Sequence, residues 1–109
     1  MGYIRHHAMI ITDCDLEKIR DIHRFATLCS LNPTSIMKSP VNGYRTFFIP
    51  PDGSKEGWET SNEADEERKR FKQFIRKRHP YCDWTEISYG GDDGHSQVED
   101  DCTKKDLIE

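Results

Sequence analysis

The stretch Ser39-Pro40-Val41-Asn42-Gly43-Tyr44-Arg45-Thr46-Phe47-Phe48-Ile49-Pro50-Pro51-Asp52-Gly53-Ser54-Lys55-Glu56-Gly57-Trp58 sets two turn signals around the densest apolar run of the chain. Asn42-Gly43 suits a tight primed turn, because both residue types tolerate the positive φ that such a turn requires. Tyr44 to Ile49 reads as a β-strand, and Pro50-Pro51 ends it, since neither residue can donate to a ladder. Asp52 to Lys55 marks a second turn carrying a cation. A hairpin arm and a loop closing at Trp58 are therefore expected here.

Working back, Thr34 to Lys38 supplies the other arm of the hairpin. Before it, Leu16, Ile19, Ile22, Ala26 and Cys29 recur at helical spacing, with Phe25 widening the stripe. Asp13 or Asp15 caps that helix, and Asn32-Pro33 stops it. Tyr3 to Thr12 alternates as a strand that is partly apolar on both faces, which predicts a central position. Working forward, Thr60-Ser61-Asn62-Glu63 fits a capping box. The helix behind it runs to about His79, with Ala64, Phe71, Phe74 and Ile75 as its stripe. Asp83 to Tyr89 is the last clear strand, followed by the turn Gly90 to Gly94. The order β-α-β-β-α-β predicts an α+β, ferredoxin-like sandwich, a four-stranded antiparallel sheet with two helices on one face. Residues 1–93 form the expected domain. Residues 94–109 read as a flexible acidic tail, in which His95 to Val98 offers a short edge strand.

At 109 residues the chain suits one domain, and its 34% apolar and 33% charged content is polar for a monomer, so self-association into a homo-oligomer is expected. The net charge of −4 argues against a general nucleic-acid binder. Its distribution is uneven: seven basic residues lie between Arg68 and Arg78, and nine acids against two lysines follow Pro80. The four cysteines show neither a CxxC pair nor metal-ligand spacing, which fits reduced thiols and a cytoplasmic location. No apolar leader opens the chain and no run approaches the ~18 residues of a membrane span, so no membrane partner is expected. Neither a cofactor nor a metal is expected.

If Ile4, Ala8, Ile10, Phe47 and Ile49 face the helices, the open face shows Arg5, His7, Tyr44, Thr46, Phe48, Trp84 and Glu86. Such a face suits a dimer interface, or a platform on which Arg5 and His7 hold phosphate while Tyr44 or Trp84 stacks on a base. His6-His7 suggests phosphodiesterases with paired His-x-Thr elements, but Ala8-Met9 follows and no second copy exists. Gly53-Ser54-Lys55 with Gly57 can present amides and an ammonium to an anion, without the spacing of a phosphate-binding loop. The basic run on the second helix reads as a solvated face. The nucleic-acid alternative is weakened because Tyr44 to Ile49 lacks the Gly-aromatic signature of RNA-recognition modules. No nucleophile motif is visible.

Met1-Gly2-Tyr3-Ile4-Arg5-His6-His7-Ala8, the Ser39 to Trp58 stretch and Asp83-Trp84-Thr85-Glu86-Ile87-Ser88-Tyr89-Gly90-Gly91-Asp92-Asp93 together resemble a group of small phage-encoded proteins. The resemblance covers roughly residues 1–93. Phage proteins of this size often antagonise host defence, and one class consists of compact oligomers that sequester cyclic or ADP-ribose-type nucleotide signals. The resemblance thus implies a non-enzymatic protein in the host cytoplasm that captures a phosphorylated nucleotide immune signal. Its expected ligand-binding residues are Arg5, His7, Tyr44, Arg45, Lys55, Trp58 and Trp84. Two alternatives stand beside it. One is an enzyme cleaving such a nucleotide, with His7 as acid or base and Glu86 as its partner; the other is a protein-binding inhibitor of a host nucleic-acid-handling factor.

Overall fold

The computed structural model describes residues 4–51, 59–91 and 94–103. At its centre runs the strand His6–Asp13 (β1), followed by the helix Leu16–Leu28 (α1), the strands Met37–Lys38 (β2) and Arg45–Ile49 (β3), the helix Glu59–Arg78 (α2), and the strands Asp83–Tyr89 (β4) and Gln97–Asp101 (β5). The strands form one five-stranded sheet in the order β2-β3-β1-β4-β5, antiparallel throughout. This arrangement is compatible with a ferredoxin-like fold, but the expected four strands are five. The fifth lies in the stretch expected to be a flexible tail, somewhat beyond the suggested His95 to Val98. It forms because Gln97 to Asp101 can satisfy the outer edge of β4, where unpaired amides and carbonyls are otherwise left.

The faces of β1 are the reverse of the expectation. Met9 and Ile11 are fully buried beneath the helices, with Asp13 beside them, whereas Ala8, Ile10 and Thr12 lie on the open face. Both alternations of β1 carry apolar residues, so period alone does not choose between them. Cross-strand register does: Met9 stands opposite Ile49, and Ile11 stands between Phe47 and Trp84. The larger side chains thereby share one face and the smaller ones the other. Arg5, His7, Trp84 and Glu86, expected on the open face, follow Met9 and Ile11 to the helix side. Phe47 and Ile49 face the helices as expected.

Asp15 caps α1: its Oδ1 accepts from the amides of Glu17 at 2.9 Å and Lys18 at 3.4 Å. The helix ends with Ser30 at φ 58° and a Leu31 amide donating to the Ala26 carbonyl at 3.1 Å, a closure that satisfies the last orphan carbonyls. Its stripe Ile19, Ile22, Ala26 and Cys29 is buried with Phe47, Phe71 and Ile75 in one core. Between the helices, the Phe25 and Phe74 rings stack with centroids 4.0 Å apart. α2 begins at Glu59, so Thr60 sits inside the first turn and not at the predicted cap.

The hairpin turns through Pro40 to Gly43. Asn42 (φ 72°) and Gly43 (φ 67°) adopt the predicted positive φ. The Ser39 amide donates to the Tyr44 carbonyl at 2.7 Å, and Lys38 pairs with Arg45, so the loop has four residues and is wider than a two-residue turn. The cause is local. Pro40 has no amide to donate, and Ser39 Oγ takes the Val41 amide at 3.2 Å while donating to its carbonyl at 2.7 Å.

Candidate functional site

The helix side of the sheet holds two arrangements with chemical content. The first is an ionic network between α2 and strands β1, β4 and β5. Glu86, 5% exposed, receives Lys72 Nζ at 2.6 Å on Oε1, while Arg68 Nε lies 3.3 Å and His7 Nδ1 3.8 Å from Oε2. Asp100 takes Arg76 at 2.7 Å and Lys72 at 3.2 Å. Arg5 lies 3.5 Å from Glu99, and Arg76 caps the Trp84 ring at 4.9 Å from its centroid.

A bulge makes this possible. Glu86 pairs with Asp100 and Ile87 with Val98, which leaves Glu99 as the extra residue. Two consecutive carboxylates then point to one face, the usual consequence of an extra residue in a ladder. Glu99 accepts from Ser88 Oγ at 2.5 Å and Gln97 Nε2 at 2.7 Å, and these bonds, with Arg5 and His7 nearby, hold its carboxyl below the ordinary range against burial. Burial by itself raises the pKa of Asp100, but Arg76 and Lys72 outweigh it and leave the carboxyl below its ordinary value.

Among the described residues, those singled out in the sequence do not all lie together. Arg5, His7 and Trp84 line this network at different heights. Tyr44 and Arg45 lie at the hairpin, where Arg45 pairs across from Asp13, about eight residues of β1 and so roughly 27 Å from Arg5. Trp84 is 5% exposed beneath Arg76, which leaves no free ring face for a base. Lys55 and Trp58 lie outside the described residues. His7 and Glu86 do meet, as the enzyme alternative needs. The carboxylate is, however, already engaged by Lys72 and Arg68 in the interior.

The second arrangement is a cleft of about 780 Å3 among three segments remote in sequence: Cys29–Asn32 after α1, Ile49–Pro51 after β3, and Asn62–Arg68 on α2. Its floor is apolar, with Leu31, Ile49 and Ala64. Asn32 and Asn62 offer amides, and Glu63, Glu66 and Glu67 offer carboxylates. Arg68 closes one wall, and Arg70, though not itself a lining residue, touches two residues that are. Arg70 Nη2 donates to Cys29 Sγ at 3.6 Å, its Nε lies 3.6 Å from Glu67, and its guanidinium lies 5.8 Å from the Phe25 ring centroid. Burial pushes the Cys29 thiol up, with Arg70 pulling partly back, so that thiol is a weak acceptor rather than an ion-pair partner.

Sequence reasoning missed Arg68, Arg70 and the cleft. One signal for Arg68 was present: Ala64, Arg68, Phe71 and Ile75 follow helical spacing, so Arg68 fills the one charged slot of an apolar stripe. The cleft left no comparable trace. Comparison with protein-family models, curated proteins and solved structures finds no match for the chain.

Proposed function

We propose that this chain is a phage-type binding protein with a ferredoxin-like frame that captures a phosphorylated nucleotide immune signal and holds it unaltered. The observation that supports this reading is the cleft, with Arg70 held against two of its lining residues, Cys29 and Glu67. Its volume of about 780 Å3 falls within the roughly 300–1,000 Å3 typical of small-ligand sites. An apolar floor suits a base, the Asn32 and Asn62 amides suit its polar edge, and carboxylates accept hydrogen bonds from ribose hydroxyls. Those same carboxylates repel phosphate, so the phosphate leads outward to Arg70, whose fork matches its oxygens. The resemblance to phage proteins supplies the class of signal. Holding without turnover fits a Glu86 already engaged by Lys72 and Arg68 and so committed as a partner before any ligand arrives.

The test is depletion. The protein is incubated with cyclic dinucleotides and ADP-ribose-type nucleotides, then denatured, and the released molecules are analysed by mass. Intact nucleotide recovered after depletion agrees with capture. Altered nucleotide favours the enzyme, and depletion of no candidate favours the protein-binding inhibitor. Arg70→Glu is expected to weaken capture roughly tenfold to a hundredfold, the range for a charge-assisted hydrogen bond. Unchanged capture in that variant sinks the cleft as the site.

A further inference from the structure

The basic run of α2 does not form a single solvated face. Between Arg68 and Cys82 the chain carries seven lysines and arginines and no acid. Arg68, Lys72 and Arg76 recur every fourth residue and turn inward to Glu86 and Asp100. The other four, Lys69, Arg70, Lys77 and Arg78, are exposed. Arg70 has Glu67 at 3.6 Å, whereas Lys69, Lys77 and Arg78 have no carboxylate partner among the described residues. Asp21 on α1, which reaches towards this end of α2, is taken by His79 at 2.8 Å and Arg24 at 3.3 Å. The helix thus sorts its cations, three into the interior and four outward.

The outward set has the spacing of a duplex. Lys69 with Arg70 and Lys77 with Arg78 stand eight residues apart, about 12 Å along the helix. The major groove of B-form DNA is also about 12 Å wide, so one pair matches the backbone on each side of it. The aromatic residues nearby do not suit single-stranded bases. Phe25 and Phe74 stack with centroids 4.0 Å apart, and the guanidiniums of Arg70 and Arg78 lie over them, 5.8 Å from the respective centroids. Bases are left little to stack on. Nor does the face suit a membrane surface, because no large exposed apolar residue among the described ones lies on α2. The net charge of −4 belongs to the whole chain. Glu86, Glu99 and Asp100 are engaged in the buried network, and screening over about 10 Å limits the reach of more distant acids.

We infer that the outer face of α2 holds the phosphodiester backbone of double-stranded DNA, with Lys69 and Arg70 at one strand and Lys77 and Arg78 at the other, without reading base sequence. Arg70 also touches the lining of the nucleotide cleft, so the test leaves it in place.

Fluorescence anisotropy with a short labelled DNA duplex tests the face. At low salt the protein is expected to bind duplexes of unrelated sequence alike, with a dissociation constant in the roughly 1–100 μM range of non-specific complexes. Contact with about four phosphates gives a plot of log K against log salt with a slope of roughly −3 to −4. Lys69→Gln, Lys77→Gln and Arg78→Gln, all at exposed positions, should each flatten that slope by about 1. Lys38→Gln, an exposed cation on β2, should leave it unchanged. Nucleotide depletion should be unaltered in all four variants, since none of these residues lines the cleft, and either reading can therefore fail without the other. Absence of duplex binding at low salt, a salt-independent signal, or α2 variants with the wild-type slope each overturns the inference. Tighter binding to a single strand or to phosphatidylserine vesicles than to the duplex overturns it as well.

Discussion

Arg68 Nε and Glu86 Oε2 stand 3.3 Å apart with their side chains 3% and 6% exposed, a charged pair closed inside a small core. Breaking one partner of such a pair leaves the other charge uncompensated in a poor solvent, at a cost of about 3–5 kcal/mol. Glu86→Ala removes the carboxylate that Arg68 and Lys72 share, leaving Arg68 with Asp65 and Lys72 with Asp100, so it is expected to destabilise by about 1–3 kcal/mol, short of that full cost. Replacing Arg68 by Met is milder, because Lys72 still neutralises Glu86. Urea denaturation of both variants checks the ranking; equal midpoints for wild type and Glu86→Ala would refute it.

Gly91 and Gly43 share φ 67°, yet they differ in surroundings. A Cβ at Gly91 would lie 2.2 Å from the Ile4 carbonyl oxygen, whereas at Gly43 nothing lies within 4 Å. Gly43→Ala meets backbone strain alone, about 1–2 kcal/mol. Gly91→Ala must also displace the start of the chain, and the expected loss is larger, about 3 kcal/mol or more. Thermal unfolding of the two variants measures the difference directly.

Glu99 and Asp100 both have lowered carboxyl pKa values, the first chiefly through Ser88 and the second through Arg76 and Lys72 against burial. A carboxylate depressed in the folded state contributes stability above its unfolded pKa and loses it as pH falls through the folded value. Stability is therefore expected to drop most steeply below about pH 4. Glu99→Gln should flatten part of that drop, as read from urea midpoints across the acid range.

The four cysteines are free, and they should react in sequence. Cys14 is exposed, while Cys29 and Cys82 are 0% and 2% exposed. Burial, with Asp13 and Asp83 nearby, pushes the Cys82 thiol up to about 12, so it stays protonated at neutral pH. Maleimide labelling followed by peptide mapping should find Cys14 modified first and Cys29 and Cys82 only after denaturant is added. Early labelling of Cys82 would contradict the packing.

The sequence disclosed most where one pattern had one meaning. Asp83 to Tyr89 alternates cleanly and became β4 with those bounds, and the α1 stripe was buried residue for residue apart from its first member, Leu16, which packs against the core's margin. It was silent where two patterns overlapped. β1 has apolar residues on both alternations, and only Phe47, Ile49 and Trp84 opposite it decide which face goes inward. The choice moved Arg5, His7, Trp84 and Glu86 together, because a one-face reversal carries every alternate residue with it. The cleft depends on loops that meet only when the sheet is complete, so no local spacing announces Asn32, Asn62 or Arg70.

The bulged strand β5 also bears on the order in which the molecule is built. Lys72 and Arg76 on α2 find their acceptor in Asp100, more than twenty residues later, and β1 takes its ladder partner β4 from residues 83–89. Such distant pairings close large loops before they repay the entropy lost, which slows folding. A nascent chain therefore carries Lys72 and Arg76 without their strand acceptors, and the central strand with one edge bare, until residues 83–101 have left the ribosome. A stop anywhere between α2 and Asp100 would release a product with buried positive charge and an open sheet edge, suited to capture by chaperones and proteases rather than to assembly.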